Sequence, residues 1–315
     1  MFDIYRPEGA LISSHENREY LSSLTSLERA MNEGRILEST VMFCDSSMRL
    51  HIALGGFVGI MERSEVVYCR PGETIKDIAV ITRVGKPICF KIIGISRENG
   101  IITPILSRRA AQEECHRVFL SALRAGDIIR AKVTHLESFG AFLDIGCGLS
   151  SLLTVDCISV SRIAHPKDRL SVGDKVNVVV KSREIGSGRI YVSMRELLGT
   201  WEENAAAFEI GQTVTGIVRS IESYGVFIEL TPNLAGLAEL KEEGGAPDRA
   251  IIGSAAAVYI KSILPDKMKV KLIIIDTFET GSRPENKYFF DGNHIDYWRY
   301  SPEGAQKIIE TDFTN

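Results

Sequence analysis

Two short stretches of this 315-residue chain place an aromatic residue, a glycine, a small apolar residue and a second aromatic residue in the same order. They are Phe139-Gly140-Ala141-Phe142 and Tyr224-Gly225-Val226-Phe227. Such rings supply flat apolar faces for stacking. An exposed aromatic pair costs solubility, so its recurrence at one spacing indicates a binding surface.

Other reactive side chains form no recognisable catalytic or metal-binding pattern. The six cysteines contain no C-x-x-C pair, and the six histidines are scattered, so we expect ordinary thiols, no metal site and no cofactor. We find no carboxylate cluster, no Ser/His/Asp set and no phosphate-binding G-x-x-x-x-G-K. The chain is therefore predicted not to be an enzyme, and RNA-degrading activity in the pure protein would overturn this prediction.

The two aromatic stretches lie within a longer internal repeat. Residues 126–145 align without a gap with residues 211–230, a shift of 85 positions. Six aligned pairs are identical: Gly126/Gly211, Val133/Val218, Glu137/Glu222, Ser138/Ser223, Gly140/Gly225 and Phe142/Phe227. A weaker third copy begins at Gly34, but it has Ser46-Ser47-Met48-Arg49 in place of the aromatic signature. The sequence thus predicts three related units, the first of them degenerate.

Each unit alternates apolar and polar residues with period two and is rich in β-branched residues, which predicts strands. Five short strands in about 70 residues fit a small closed barrel of the OB type. We therefore expect an all-β protein with helical connectors and three tandem five-stranded barrels. The predicted segments are an N-terminal helical segment (1–33), a degenerate barrel (34–108), a helical connector (109–123), a second barrel (124–198), a connector (199–208), a third barrel (209–279) and an aromatic-rich tail (280–315).

Strand alternation assigns a side to each residue of the second strand. In the middle unit Ala141, Leu143 and Ile145 should face the core, which leaves Phe142 on the other face with Gly140 and Asp144. The third unit repeats this pattern, with Val226, Ile228 and Leu230 inward and Phe227 beside Gly225 and Glu229. The carboxylates suggest that this face is solvated. The alternative is that the two phenylalanines pack under a loop or against the next domain.

The use of exposed aromatics that best fits an OB surface is base stacking, with cations following the phosphates. The whole chain has a formal charge of −4, but the distribution matters more than the sum. Residues 34–108 and 123–198 are each net +3, whereas residues 209–279 are net −3. Candidate phosphate-binding cations are Arg130, Lys132 and Arg189 in the middle unit and Arg219, Lys269 and Lys271 in the third.

The stretch from Gly126 to Ile145, followed by Val172-Gly173-Asp174-Lys175-Val176 and by Gly188-Arg189-Ile190, resembles the S1 RNA-binding domain. In its tandem arrangement the chain is similar to bacterial ribosomal protein S1, over roughly residues 34–279. The resemblance implies OB barrels that bind single-stranded RNA through two aromatics, a histidine after the third strand and an arginine that opens the fifth.

Carried over by position, the aromatics are Phe139 and Phe142 and the arginine is Arg189, while Thr154 occupies the histidine position. The third unit offers Tyr224 and Phe227, with Glu239 in place of the histidine and Lys269 in place of the arginine. We therefore expect the middle unit to carry most of the affinity. The first unit lacks the aromatics, and the resemblance implies a docking or structural role for it.

The predicted function is binding of single-stranded RNA, associated with mRNA or the ribosome, with the small ribosomal subunit as a partner. Two alternatives stay open: an OB-barrel scaffold for protein interactions, and an RNA-binding accessory subunit of an RNA-processing enzyme. No apolar run reaches membrane-spanning length and the N-terminus lacks a signal-peptide pattern, so we expect a cytoplasmic protein without a membrane partner. The resemblance implies a bacterial one. The tail either packs on the third barrel or forms a further binding surface, and Ser301-Pro302-Glu303 predicts a final helix.

Overall fold

The computed structural model describes residues 4–69, 74–98, 100–184, 188–239, 251–279 and 286–314. Within them most regular structure is β, and three sets of five strands each close into a barrel. The first barrel consists of β1 (Leu37–Cys44), β2 (Leu50–Leu54), β3 (Phe57–Met61), β4 (Pro87–Glu98) and β5 (Ile101–Ser107). The second consists of β6 (Ile128–Glu137), β7 (Gly140–Asp144), β8 (Ser150–Thr154), β9 (Lys175–Arg183) and β10 (Ile190–Ser193). The third consists of β11 (Thr213–Glu222), β12 (Gly225–Thr231), β13 (Leu234–Glu239), β14 (Ala255–Leu264) and β15 (Lys269–Phe278).

All three barrels connect their strands in the same order around the ring: first, second, third, fifth, fourth. The third and fifth strands pair in parallel, as between β8 and β10 or between β13 and β15, whereas the other pairings resolved among the described barrel strands are antiparallel. The mostly-β class with five-stranded barrels, predicted from the period-two pattern, is confirmed. Ala141, Leu143, Val226 and Ile228 are fully buried as predicted, while Leu230 is only partly buried.

Helices are short and lie before, within and between the barrels. The predicted N-terminal helical segment (1–33) contains two helices, α1 (His15–Tyr20) and α2 (Leu24–Glu33), each begun by a serine whose hydroxyl accepts a backbone N–H. A third helix, α3 (Asp77–Ile81), lies before β4. In the connector, α4 (Arg108–Glu114) continues into a π-turn and a 3-10 turn, and α5 (Trp201–Ala205) precedes the third barrel.

The chain divides into two compact units. The first contains Met1–Leu123 and the loop Asp144–Ser150, and its core fills the first barrel. A buried charged cluster lies in the same unit: both Arg108 Nε and Nη2 donate to the Glu8 carboxylate, at 2.6 and 3.0 Å. Asp144 accepts the backbone N–H of Glu8 at 2.7 Å, and burial raises the pKa of Asp144 to about 7.

A second buried carboxylate of the first unit fixes the N-terminal segment. Glu38 on β1 accepts the backbone N–H groups of Leu11 and Ile12 at 2.7 and 2.9 Å. Its own backbone exchanges two hydrogen bonds of 2.8 Å with the side chain of Asn17. Because Glu38 has no exposed surface, burial raises its pKa to about 7. The cysteines are all unpaired, and four of the six are buried, in agreement with ordinary thiols.

The second unit contains Arg124–Leu143 and Ser151–Asn315, so the third barrel and the rest of the middle barrel share one unit. A buried carboxylate links the two barrels. Glu229 on β12 binds Arg219 of its own barrel at 2.7 Å and also Arg169, which precedes β9, and neither Glu229 nor Arg169 has exposed side-chain surface. Burial lowers the pKa of the Arg169 guanidinium below its usual value.

The aromatic-rich tail is part of the hydrophobic core of the second unit. Trp298, Tyr300 and Phe313 are buried there, and the Tyr300 hydroxyl donates to the backbone oxygen of Asn233 at 2.5 Å. The tail adds a two-stranded sheet, β16 (Tyr297–Arg299) with β17 (Glu310–Asp312). The predicted helix after Ser301 is wrong, because the chain forms turns there and then enters β17.

Candidate nucleic-acid interface

The turn between β6 and β7 carries the first aromatic pair of the middle barrel. Phe139 lies in the turn and is 53% exposed, while Phe142 lies on β7 and is partly exposed. Their ring centroids are 6.1 Å apart and the ring planes are nearly perpendicular, at 88°. Edge-to-face contact leaves a face of the exposed ring open while it fixes the angle between the two rings.

The third barrel repeats this geometry almost without change. Tyr224 is 59% exposed, and its ring lies 6.1 Å from that of Phe227 at 90°. The glycine between the aromatics has the same function in both barrels. A Cβ at Gly140 would meet the backbone oxygen of Leu153 at 2.5 Å, and one at Gly225 would meet that of Ala238 at 2.7 Å. Both glycines therefore admit the backbone of the third strand.

A histidine that the sequence did not single out completes the middle site. His135 on β6 stacks on Phe142, with centroids 6.2 Å apart and an angle of 30° between the planes. Its side chain is 62% exposed, and its Nε2 lies 2.6 Å from Glu137 Oε1. Sequence reasoning missed it because only cross-strand register shows which residue of the first strand lies opposite the aromatic residue of the second.

The register is visible in full in the third barrel. After a β-bulge between Val218 and Ser220, Ser220 pairs with Phe227, Phe227 with Leu237, and Leu237 with Lys271. We call this line of outward residues across four strands the transverse row. In the middle barrel the corresponding residues are His135, Phe142, Leu152 and Tyr191, and the pairing of Tyr191 with Leu152 is the last step of the row.

The predicted cations of the middle barrel lie on two sides of this row. Arg189 is exposed and directly precedes β10, two residues before Tyr191. Arg130 is exposed and Lys132 is half-buried, and they pair with Asn177 and Lys175 on β9. Seven residues of strand separate Arg130 from the end of β6, a distance of about 23 Å, so it cannot contact the same nucleotide as Phe139.

The predicted cations of the third barrel divide differently. Arg219 offers little surface to a ligand, because its guanidinium is bound to the buried Glu229 and only 10% of its side chain is exposed. Lys269 is exposed at the start of β15, and Lys271 binds Glu239 at 2.8 Å. The Lys271 ammonium, assisted by Lys261 and Lys269, lowers the pKa of Glu239. Three lysines thus surround one carboxylate beside the aromatic pair, although the barrel as a whole is acidic.

The carboxylates next to the aromatics do not mark a solvated face. Asp144 and Glu229, which occupy equivalent positions in the repeat, are 3% and 1% exposed. Each is covered by groups from outside its own strand pair: Asp144 by the N-terminal segment at Glu8, and Glu229 by Arg169. Asp144 and Glu229 are therefore not on a solvated face, contrary to the prediction. The exposure of the aromatic pairs is instead evident from the rings of Phe139 and Tyr224.

The positions where a histidine was expected hold other groups. Thr154 ends β8 half-buried, and its hydrogen bond to Asp156 lowers the pKa of that carboxyl. Glu239 ends β13 opposite Gly225. In the part of the chain that the structure describes, no three His, Cys, Asp or Glu side chains form a group that could hold a metal ion. Nor do the described residues include a helix long and apolar enough to cross a bilayer.

Comparison with known proteins matches the middle barrel directly. Residues 122–195 match the model of the S1 RNA-binding domain. Over 247 residues the chain is 30% identical to small ribosomal subunit protein bS1 of Staphylococcus aureus, a match that covers 76% of this chain and 60% of that protein. Over 312 residues it is 29% identical to bS1 of Staphylococcus epidermidis, covering 94% of this chain and 76% of that one.

Among solved structures, the solution structure of GSP13 from Bacillus subtilis is 29% identical over 23% of this chain and 56% of its own, at a TM-score of 0.22. That TM-score is too low to indicate a shared overall fold. The matches with bS1 are longer, and the chain spans 60% of the length of the Staphylococcus aureus protein. The middle barrel thus matches the S1 RNA-binding domain, and most of the chain is similar in sequence to the bacterial small ribosomal subunit protein bS1.

Proposed function

We propose that this protein binds single-stranded RNA by stacking bases on the transverse row of the middle barrel. The observation that carries the proposal is the cluster of His135, Phe139 and Phe142, which lies on the surface of the segment that matches the S1 domain. Stacking on an aromatic face contributes about 1–3 kcal/mol per base and accepts any base, because every base has a π-face.

The predicted cations of the middle barrel lie at increasing distances from the proposed stacking site. Arg189 lies beside the row, within reach of a phosphate next to the bases on Phe139 and Phe142. Lys132 and Arg130 lie further along β6 and would contact phosphates a few nucleotides away. In the third barrel Lys269 and Lys271 take this function beside Tyr224 and Phe227, and Glu239 weakens it. The middle barrel therefore carries most of the affinity.

The repeated barrels support a protein with more than one binding domain. We propose that the segments 34–108, 124–198 and 209–279 are three S1-type OB domains, since their strands follow one order and share one repeat. The relatives named above are ribosomal proteins, which supports a function in translation, with the small ribosomal subunit as partner and the bacterial cytoplasm as location. We propose binding without catalysis.

The proposal is tested by fluorescence anisotropy of the full chain with a labelled single-stranded RNA of about 12 nucleotides, a site size that suits one or two OB units. Phe142→Ala should raise Kd roughly 5- to 150-fold, the equivalent of about 1–3 kcal/mol. Phe227→Ala is the matched control, because it removes the same ring from the same position of the third barrel, and we expect a smaller effect.

An unchanged Kd for Phe142→Ala contradicts the proposal. Because Phe142 is partly buried, the unfolding midpoint of the Phe142→Ala variant should be compared with that of the wild type. His135→Ala tests the same surface through an exposed residue. Binding should weaken only shallowly with salt, because few phosphates are neutralised.

A further inference from the structure

The first barrel contains a surface pair of aromatic rings that was not predicted from its sequence. Phe43 on β1 is 47% exposed, and its ring stacks on that of His51 on β2 with centroids 4.2 Å apart and planes within 12° of parallel. No aromatic pair was predicted for this unit, because the turn between its first two strands has Ser46-Ser47-Met48-Arg49 in place of the aromatic signature.

The strand register places this pair on the transverse row. A β-bulge follows Val41 on β1, as one follows Val218 on β11, and both valines are buried. Beyond the bulge Phe43 pairs with His51, in the way that Ser220 pairs with Phe227. The row then continues from His51 to Ile60 and from Ile60 to Ile105. Phe43 and His51 therefore occupy the positions of His135 and Phe142.

The two barrels thus carry the same two ring types with the strands exchanged. In the middle barrel the histidine is on the first strand and the phenylalanine on the second, whereas the first barrel has the reverse. In both barrels the histidine binds a carboxylate that lies two residues after the ring on the first strand: Asp45 follows Phe43, and Glu137 follows His135. His51 Nε2 lies 3.0 Å from Asp45 Oδ2, and His135 Nε2 lies 2.6 Å from Glu137 Oε1.

Polar groups around the pair hold the histidine ring in place. The hydrogen bond from His51 lowers the pKa of Asp45 most, followed by one from the backbone N–H of Arg49. The Arg49 guanidinium donates to the same carboxylate at 2.9 Å and is 39% exposed. A cation beside a stacked pair is the arrangement that serves a base and its phosphate.

A groove continues the surface beyond His51. It measures about 480 Å³ and is lined along β2, β3 and β5 by His51, Phe57, Ile60 and Thr103 among others. The groove is partly open and is lined by both polar and apolar atoms, and it lies on the same side of the barrel as the transverse row. The stacked pair and the groove therefore form one continuous strip across four strands.

We propose that the first barrel binds a nucleobase of single-stranded RNA on the outer face of Phe43, with the phosphate directed to Arg49. This inference rests on the proposed function, because it assigns to the first barrel a second site for the same ligand. It replaces the docking or structural role that the missing turn aromatics implied. The groove beside His51 accommodates the neighbouring nucleotide.

The test places a fluorescent reporter at each site in the full chain. The two native tryptophans, Trp201 and Trp298, are 2% and 5% exposed, so a new surface tryptophan reports binding against a steady background. Phe43→Trp and Phe142→Trp are each titrated with oligouridylate of about 30 nucleotides, long enough for more than one OB unit. We expect saturable quenching of both, because a stacked base quenches indole emission.

Quenching of Phe142→Trp without quenching of Phe43→Trp overturns the first-barrel site and leaves the proposed function intact. Absence of quenching in both variants overturns both. Independently, Phe43→Ala should weaken binding of the long oligonucleotide by about 5-fold, the low end for one stacked base. Ile78→Ala on α3, which removes another exposed apolar side chain (62% exposed) from the same unit, should leave binding unchanged. Equal Kd values for the two alanine variants contradict the proposal.

Discussion

The carboxylate shared by Arg169 and Arg219 allows a sharp prediction about stability. Glu229→Gln keeps the shape of the side chain but removes its charge, which leaves the guanidinium of Arg169 buried without a counter-charge. Its Nε and Nη1 atoms already have no hydrogen-bond partner among the described residues, so the side chain depends on Glu229. Removing one partner of a buried ion pair costs about 3–5 kcal/mol. For a unit of roughly 150–250 residues, at about 2–4 °C per kcal/mol, the melting temperature should fall by about 6–20 °C.

The assay is thermal unfolding of the full chain, followed by circular dichroism and differential scanning calorimetry to resolve the transition of the second unit. Glu239→Gln is the matched control, since it makes the same change in the same barrel at an ion pair whose members are 38% and 57% exposed. An exposed pair contributes about 0–1 kcal/mol, so its transition should shift by a few degrees at most. The reasoning is refuted if the two variants melt together. Replacing Arg169, Arg219 and Glu229 together by apolar residues should restore much of the loss, because well-packed apolar groups substitute for buried charges.

Two further predictions concern the first unit and the middle barrel. Burial raises the pKa of Glu38 to about 7, above its pKa in the unfolded chain. The contribution of this group to the free energy of unfolding is therefore complete below about pH 4, and it is lost as the pH rises through 7. Glu38→Gln should therefore flatten the pH dependence and stabilise the protein at pH 8 by on the order of 3 kcal/mol, measured by urea unfolding at pH 5 and pH 8; a variant as pH-dependent as wild type contradicts this. Gly140→Ala should destabilise the middle barrel by about 1–3 kcal/mol and weaken RNA binding, because the new Cβ would meet backbone atoms of Leu153 and Thr154 at 2.5 and 3.0 Å. Gly56→Ala, whose Cβ meets no atom within 4 Å, should be neutral in the same urea titration, and equal midpoints for the two variants would argue against the close strand approach.

Alternation and repetition predicted what depends on local pattern. The buried faces of β7 and β12 follow from period two, and the barrels follow from the recurrence of five strands at one spacing. The aromatic turns were also visible in the sequence, because Phe139 and Tyr224 lie beside invariant repeat positions such as Gly140 and Gly225. A local pattern states which residues share a face.

A pattern does not state what covers that face. Asp144 and Glu229 were assigned to solvent because carboxylates usually are, yet their partners Glu8 and Arg169 come from 136 and 60 residues away in the chain. Arg219 was assigned to RNA because arginine side chains are usually exposed, yet its guanidinium is bound to Glu229. The Phe43–His51 pair was missed because a bulge after Val41 shifts the register by one residue, and a shift of one residue exchanges the two faces of a strand.

The shared core of the second unit has a kinetic consequence for a repeat that binds weakly. Once RNA is held on the middle barrel, the third barrel meets the same strand at an effective concentration in the millimolar range, as for any pair of sites joined over a short span. A contact of millimolar intrinsic affinity is then occupied about half of the time. Under the proposed function, each release of the strand from Phe142 is followed by recapture, and we expect Tyr224 and Phe227 to lengthen the residence time of an RNA that they could not hold alone.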